Sequence, residues 1–113
     1  MSKYIELQII FKVLSDNTRL QIIDMLSCNE MCACDLLGGL AINQSTLSHH
    51  MKVLTESGLV AGRKEATWMY YSINRQFISK IHQLIDELVN HKDECECNII
   101  KTDCRNKEEI LHE

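Results

Sequence analysis

The chain has 113 residues, of which 45% are hydrophobic and 25% charged, and its formal net charge is −4. This length fits a single domain with one core and excludes most multidomain enzymes. No apolar run approaches the roughly 20 residues that span a bilayer, and the amphipathic N-terminus lacks a signal-peptide cleavage site, so we expect a cytoplasmic protein that does not contact a membrane. Proline is absent and glycine occurs only 4 times, which favours helices.

Five helices are predicted from apolar residues that recur at three- and four-residue spacing. Ser15-Asp16-Asn17 are N-cap residue types before the second of them, Asn43 can cap the fourth, and Gly58 is a stop signal after the fourth. The predicted helices cover residues 4–14, 20–26, 32–38, 44–57 and 74–89.

Between the last two helices the pattern changes to that of a β-hairpin. Residues 59–64 and 67–73 are rich in β-forming residues and flank a two-residue connection, Glu65-Ala66. The predicted fold is therefore mainly α with a β-hairpin, a winged helix-turn-helix that acts as a dimer. We expect this DNA-binding and dimerisation domain to cover residues 1–91, followed by an acidic cysteine-containing tail over 92–113.

A polar face on the predicted helix 44–57 is typical of DNA reading. At about 100° per residue, Leu47, Met51 and Leu54 fall on one side of this helix and polar side chains on the other. Amides can read base edges, while hydroxyls and cations can contact phosphate. With two cations of the hairpin, the candidate DNA-binding residues are Gln44, Ser45, Thr46, Ser48, His49, Lys52, Arg63 and Lys64. The alternative is an ordinary solvated face, and His50, between the two sides, is interpreted as a packing residue.

The charge distribution agrees with DNA contact in the middle of the chain. Residues 1–40 carry a balance of −2, residues 41–75 a balance of +2, and residues 76–113 a balance of −4. We therefore expect phosphate contacts from the middle third, with duplex DNA as the partner.

The 6 cysteines form two groups, and the first lies in the predicted helix-turn-helix. In a regular helix Cys32 and Cys34 would project about 200° apart, so joint ligation of one ion would distort the first turn. Ligand-bound and DNA-bound states would then exclude one another. Thiolates select soft ions, and Cys28 is the natural third ligand. Small buried hydrophobic residues are the alternative.

The second group, Cys95, Cys97 and Cys104, lies in the acidic tail. Three readings stay open for it: a second metal site, additional ligands for the first site, or exposed redox-sensitive thiols.

Several segments resemble the ArsR/SmtB family of metal-responsive transcriptional repressors over about residues 8–90. Residues 14–20 (LSDNTRL) resemble the opening segment of the family, although Asn17 stands where proline is usual. Residues 30–36 (EMCACDL) resemble the arsenic-sensing motif of the arsenical-resistance repressors. Residues 44–54 (QSTLSHHMKVL) resemble their reading helix, and residues 58–71 resemble their wing.

The resemblance implies a homodimeric repressor of an arsenic-resistance operon that leaves DNA when As(III) or Sb(III) binds thiolates. It makes Cys32 and Cys34 the principal ligands. Where relatives often have a further cysteine this chain has Leu37, so the third ligand is Cys28, a tail cysteine or solvent. The zinc-sensing D-x-H pattern is missing at His82, which Lys80 precedes by two residues.

A thiol-redox-responsive or Zn/Cd-responsive repressor of the same fold is the main alternative. A metal-buffering protein would bind the ion but no duplex. We expect no enzymatic activity, because no Cys–His pair or phosphate-binding loop is recognisable.

Overall fold

The computed structural model describes residues 2–90 of the chain. Its elements are α1 (Lys3–Leu14), α2 (Asn17–Leu26), β1 (Met31–Cys32), α3 (Ala33–Gly38), α4 (Gln44–Ser57), β2 (Val60–Glu65), β3 (Trp68–Ile73) and α5 (Arg75–Val89). The predicted fold, mainly α with a β-hairpin in winged helix-turn-helix order, is confirmed. The predicted tail, with Cys95, Cys97 and Cys104, lies outside the described residues.

Local hydrogen bonds explain where four of the helices begin. Side-chain oxygens of Ser2, Asp16, Asn43 and Asn74 each accept the backbone N–H of the residue three positions later, at 2.8–3.3 Å. Each cap satisfies one of the free N–H groups of a first helical turn. The cap predicted at Asn43 is thus confirmed, and among the cap residue types at positions 15–17 it is Asp16 that caps α2, whereas the caps Ser2 and Asn74 were not predicted.

A small antiparallel sheet joins the hairpin to the start of α3. The strand order is β1-β3-β2, so β3 pairs with both of the other strands. The sequence does not predict strand β1, because two residues are too few to show a period of two. Its presence ties the cysteine-containing segment to the wing.

Several boundaries differ from the sequence prediction, and two of these differences bear on the thiol segment and the wing. Helix α3 begins at Ala33, and Cys32 is its N-cap with extended backbone (φ −86°, ψ 169°). The hairpin loop is Ala66-Thr67 and not Glu65-Ala66, because Glu65 still pairs with Trp68. Ala66 turns the chain with φ 57°.

One core unites the helices and the base of the wing. Buried apolar side chains come from α1, α2, α3, α4, β2 and α5, among them Ile10, Ile22, Leu26, Leu36, Leu47, Leu54, Val60 and Ile81. Among the described residues, no helix has both the length and the apolar character needed to cross a bilayer.

Candidate nucleic-acid interface and thiol site

Helix α4 presents a continuous polar surface to solvent. All six residues predicted to read DNA from this helix are exposed: Gln44, Ser45, Thr46, Ser48, His49 and Lys52. The opposite side is buried as predicted, with Leu47, Met51 and Leu54 at 3% exposure or less. The core therefore fixes the orientation of α4 and leaves its polar face free for a partner.

His50 connects α4 to helices α1 and α2 through Arg19. It is 9% exposed, and Arg19 Nη1 lies 3.2 Å from its Nδ1, which can accept the guanidinium N–H. Arg19 Nε also donates to Val13 O at 2.6 Å. His50 is thus a packing residue, as predicted.

Asp16 completes this connection between α1, α2 and α4. Its Oδ2 accepts the backbone N–H of Arg19 and lies 3.9 Å from His50 Nδ1. The cap hydrogen bond from the Arg19 backbone N–H lowers the pKa of Asp16, and the charge of the Arg19 guanidinium acts in the same direction. The entrance of α2 is thus fixed against the middle of α4.

The two cations predicted on the wing, Arg63 and Lys64, differ in their ion pairing. Lys64 is exposed on β2 and projects without an ion pair among the described residues. Arg63 is also exposed, but Glu30 and Glu65 both accept hydrogen bonds from its guanidinium. The hydrogen bond to Glu30, followed by the one to Glu65, raises the pKa of Arg63 above its usual value. The hydrogen bond from Arg63 lowers the pKa of Glu30. Sequence reasoning missed this, since Glu30 and Arg63 are 33 positions apart.

The two principal cysteines flank the first residue of α3. Cys32 is half-buried at the end of β1, and Cys34 is exposed in the first turn of the helix. Asp35 holds Cys32 in place, since its Oδ2 accepts the Cys32 backbone N–H and thiol, both at 3.3 Å. Because Cys32 lies outside the helix, the predicted distortion of a helical turn does not follow.

Cys28 is exposed in the turn after α2, and no disulfide joins any two of Cys28, Cys32 and Cys34, the cysteines within residues 2–90. Within residues 2–90, no group of three or more His, Cys, Asp or Glu side chains is arranged to hold a metal ion. Soft thiolates at Cys32 and Cys34 nevertheless match the donor preference of a thiophilic ion. Ligation by three thiolates would require a rearrangement or a ligand from another segment.

A second surface combines exposed apolar residues of α1 and α5. Tyr4 and Phe11 on α1 and Leu88 and Val89 on α5 are 46–68% exposed. Tyr4, Leu7, Phe11 and Leu88 line one open groove there. Large exposed apolar patches of this kind mark interaction sites.

The chain has the architecture of a DNA-binding winged helix-turn-helix regulator. The features that define this class are the helix pair α3–α4, the hairpin β2–β3 and the exposed polar face of α4. The profile of the arsR family of bacterial regulatory proteins matches residues 16–61, which include α2, β1, α3 and α4.

Known proteins extend this match over most of the chain. An arsenical resistance operon repressor from Staphylococcus xylosus is 47% identical over 100 residues, which is 88% of this chain and 95% of that protein. One from Staphylococcus aureus is 43% identical over 102 residues, covering 89% and 98%.

Among solved structures, the homodimeric winged helix-turn-helix DNA-binding domain of a possible ArsR-family regulator from Mycobacterium bovis is 26% identical. It has a TM-score of 0.59 and covers 80% of this chain and 88% of that one. The chain belongs to the arsR family of bacterial regulatory proteins.

Proposed function

We propose that this protein represses an arsenic-resistance operon, binds duplex operator DNA as a homodimer, and leaves the DNA when As(III) or Sb(III) binds cysteine thiolates. The observation that carries the proposal is the position of Cys32 and Cys34, which flank the first residue of α3 in the helix-turn-helix. The similarity to the two staphylococcal arsenical resistance operon repressors supports the same function.

In this proposal helix α4 enters the major groove. Its exposed residues Gln44, Ser45, Thr46, Ser48 and His49 supply amide, hydroxyl and imidazole groups for base edges, and Lys52 supplies a cation for phosphate. Lys64 extends the phosphate contact along the wing. Contact between Arg63 and DNA stays a prediction, because its guanidinium is engaged by two carboxylates.

The inducer is a thiophilic ion with Cys32 and Cys34 as principal ligands. The role of Cys28 as a third ligand and that of the tail cysteines Cys95, Cys97 and Cys104 as a second site stay predictions. An inducer-responsive DNA regulator acts where bacterial DNA lies, so we place the protein in the cytoplasm, and it needs no catalytic activity for this role.

Homodimerisation is proposed through the apolar surface of α1 and α5. A second copy would cover Phe11 and Leu88 and provide the two-fold symmetry that paired half-sites require. The homodimeric state of the similar domain from Mycobacterium bovis supports dimerisation itself. Sedimentation of a Leu88→Glu variant tests it, because a buried carboxylate at the interface should give a monomer with a native circular-dichroism spectrum.

Titration of the operator complex with arsenite under reducing conditions tests the inducer. We expect loss of DNA binding by the wild type and by Cys28→Ser, and retention of the complex by a Cys32→Ser/Cys34→Ser double variant. An unchanged wild-type complex would refute metalloid sensing, whereas release of the double variant would move the sensing site to the tail.

Substitution within α4 tests the DNA interface. Gln44→Ala should weaken operator binding by about 1–3 kcal/mol if the amide reads a base edge. Gln21→Ala, an exposed glutamine on α2, is the matched control and should bind as the wild type does. Equal affinities for the two variants would exclude Gln44 as a base-reading residue.

A further inference from the structure

The cysteine segment and the wing share one sheet, and three side chains form a row across it. Tyr70 of β3 is the register partner of Cys32 on β1 and of Arg63 on β2. Directly paired residues of antiparallel strands project to the same face of a sheet. Consistently, the Arg63 guanidinium lies over the Tyr70 ring, 4.9 Å from its centroid. Cys32 is therefore one strand away from a residue that contacts the wing cation.

A second connection bridges the two outer strands. Arg63 Nε donates to Glu30 Oε2 at 2.9 Å, and Arg63 Nη2 donates to Glu30 Oε1 at 2.7 Å. Such a two-pronged arginine–carboxylate pair fixes geometry as well as charge. Glu30 directly precedes β1 and Arg63 lies in β2, so the pair crosses over β3. We name this pair the Glu30–Arg63 strap.

The strap matters because β1 alone is a weak attachment. It contributes only Met31 and Cys32 to the sheet. The other partner of Arg63, Glu65, lies two residues away in the same strand and connects the wing only to itself. Glu30 is thus the partner through which the guanidinium reaches the cysteine segment.

We infer that the Glu30–Arg63 strap couples the thiol site to the wing, so that ligation at Cys32 displaces the wing from the position in which it contacts DNA. This inference rests on the proposed function. Since no three donor side chains within residues 2–90 are arranged around one ion, recruitment of a third ligand moves Cys32 from its present position, and in this inference that movement opens β1 from Tyr70 and pulls on Glu30. Arg63 is here a positioning residue: the strapped state favours DNA, and the ligated state favours a displaced wing.

The experiment compares Glu30→Gln with Glu65→Gln. Each removes one negative charge and one partner of Arg63, so their direct electrostatic effects on DNA are matched. The measured quantity is the ratio of operator Kd with and without arsenite. We expect Glu65→Gln to retain the wild-type ratio within about twofold and Glu30→Gln to reduce it to about one third or less, within the usual range of allosteric coupling. Arg63→Lys, which keeps the positive charge but cannot donate the two parallel hydrogen bonds of a guanidinium, should behave like Glu30→Gln.

A second readout needs no DNA. The chain has 1 tryptophan, Trp68, which is 51% exposed at the start of β3 and therefore reports on the wing. Arsenite should shift its emission in the wild type and in Glu65→Gln, weakly in Glu30→Gln, and not in Cys32→Ser/Cys34→Ser. Thiol titration should show arsenite binding within about twofold of wild type in both glutamine variants, because the strap is not a ligand.

The outcomes separate the inference from the proposed function. The coupling role of the strap would be refuted if Glu30→Gln and Glu65→Gln gave equal ratios of operator Kd with and without arsenite. Loss of arsenite binding in Glu30→Gln would refute it as well. A shift of Trp68 emission without release of DNA from the wild type would refute the proposed function and leave the coupling standing. If arsenite causes neither a shift of Trp68 emission nor release of DNA from the wild type, both the inference and the proposed function are refuted.

Discussion

Gly58 is the residue at which α4 ends and the chain turns towards strand β2 of the wing. It ends α4 with φ 92° and ψ −8°, and its N–H donates to Thr55 O. An added Cβ would meet the Phe77 ring at 3.5 Å, an ordinary contact. The constraint is therefore the left-handed backbone and not the space.

Gly58→Ala should lower the free energy of unfolding by about 1–2 kcal/mol, because an L-residue pays that cost in the left-handed region. Urea unfolding measures the change. Gly38→Ala is the control, since nothing lies within 4 Å of its added Cβ. Equal midpoints for the two variants would contradict the role assigned to Gly58.

The Asp16 carboxylate gives the fold a dependence on acid. Its pKa is lowered in the folded protein, chiefly by the Arg19 N–H. A lowered folded pKa contributes stability that is fully present above the unfolded pKa, near 4, and is lost as the pH falls through the folded value.

Asp16→Asn keeps an N-cap residue type but removes the titration. The wild type should therefore lose more stability than Asp16→Asn between pH 6 and pH 3, as measured by thermal unfolding at both pH values. A parallel decline of the two proteins would show that Asp16 does not contribute to acid sensitivity.

At the scale of elements, the turn of the wing carries an unfavourable residue. Ala66 adopts φ 57°, a left-handed conformation that glycine adopts without steric cost and alanine does not. Ala66→Gly should stabilise the hairpin by up to about 1 kcal/mol, because relief of the left-handed conformation exceeds the entropy lost on folding. Hydrogen exchange of the β2–β3 amides measures the effect, with Ala61→Gly, in mid-strand, as a control that should accelerate exchange.

The elements also show what the sequence could and could not predict. Helices α1, α2, α4 and α5 were predictable because their apolar period and caps are local signals. The N-cap role of Cys32 was not, since cysteine is not a preferred cap residue and Asp35 creates the boundary by accepting its N–H. Neither β1 nor the Glu30–Arg63 strap was predictable, because both depend on partners more than thirty residues away.

For the whole molecule, the charges on α4 and the wing, the elements proposed to contact DNA, predict a modest salt dependence of operator binding. Lys52 and Lys64 make no ion pair among the described residues, whereas Arg63 is paired twice. A dimer then presents about four free cations, and the slope of log K against log salt should be about −3.6, at about −0.9 per phosphate contact.

Lys64→Gln should reduce the size of this slope by about two units per dimer, whereas Arg63→Gln should leave it nearly unchanged. Fluorescence anisotropy with operator DNA over a range of salt concentrations measures both. A large decrease for Arg63→Gln would mean that the arginine exchanges its carboxylates for phosphate on binding.

The pairing of Arg63 with Glu30 and Glu65 also bears on how the protein finds its target in a chromosome. Affinity for unrelated DNA comes almost entirely from cation–phosphate contacts, which are independent of base sequence. If the wing contacts DNA as proposed, an arginine that is already neutralised adds little affinity for unrelated sequence, and fewer molecules are then sequestered away from the operator. The same ion pairs that position the wing thereby leave a larger share of the repressor free to occupy its own site.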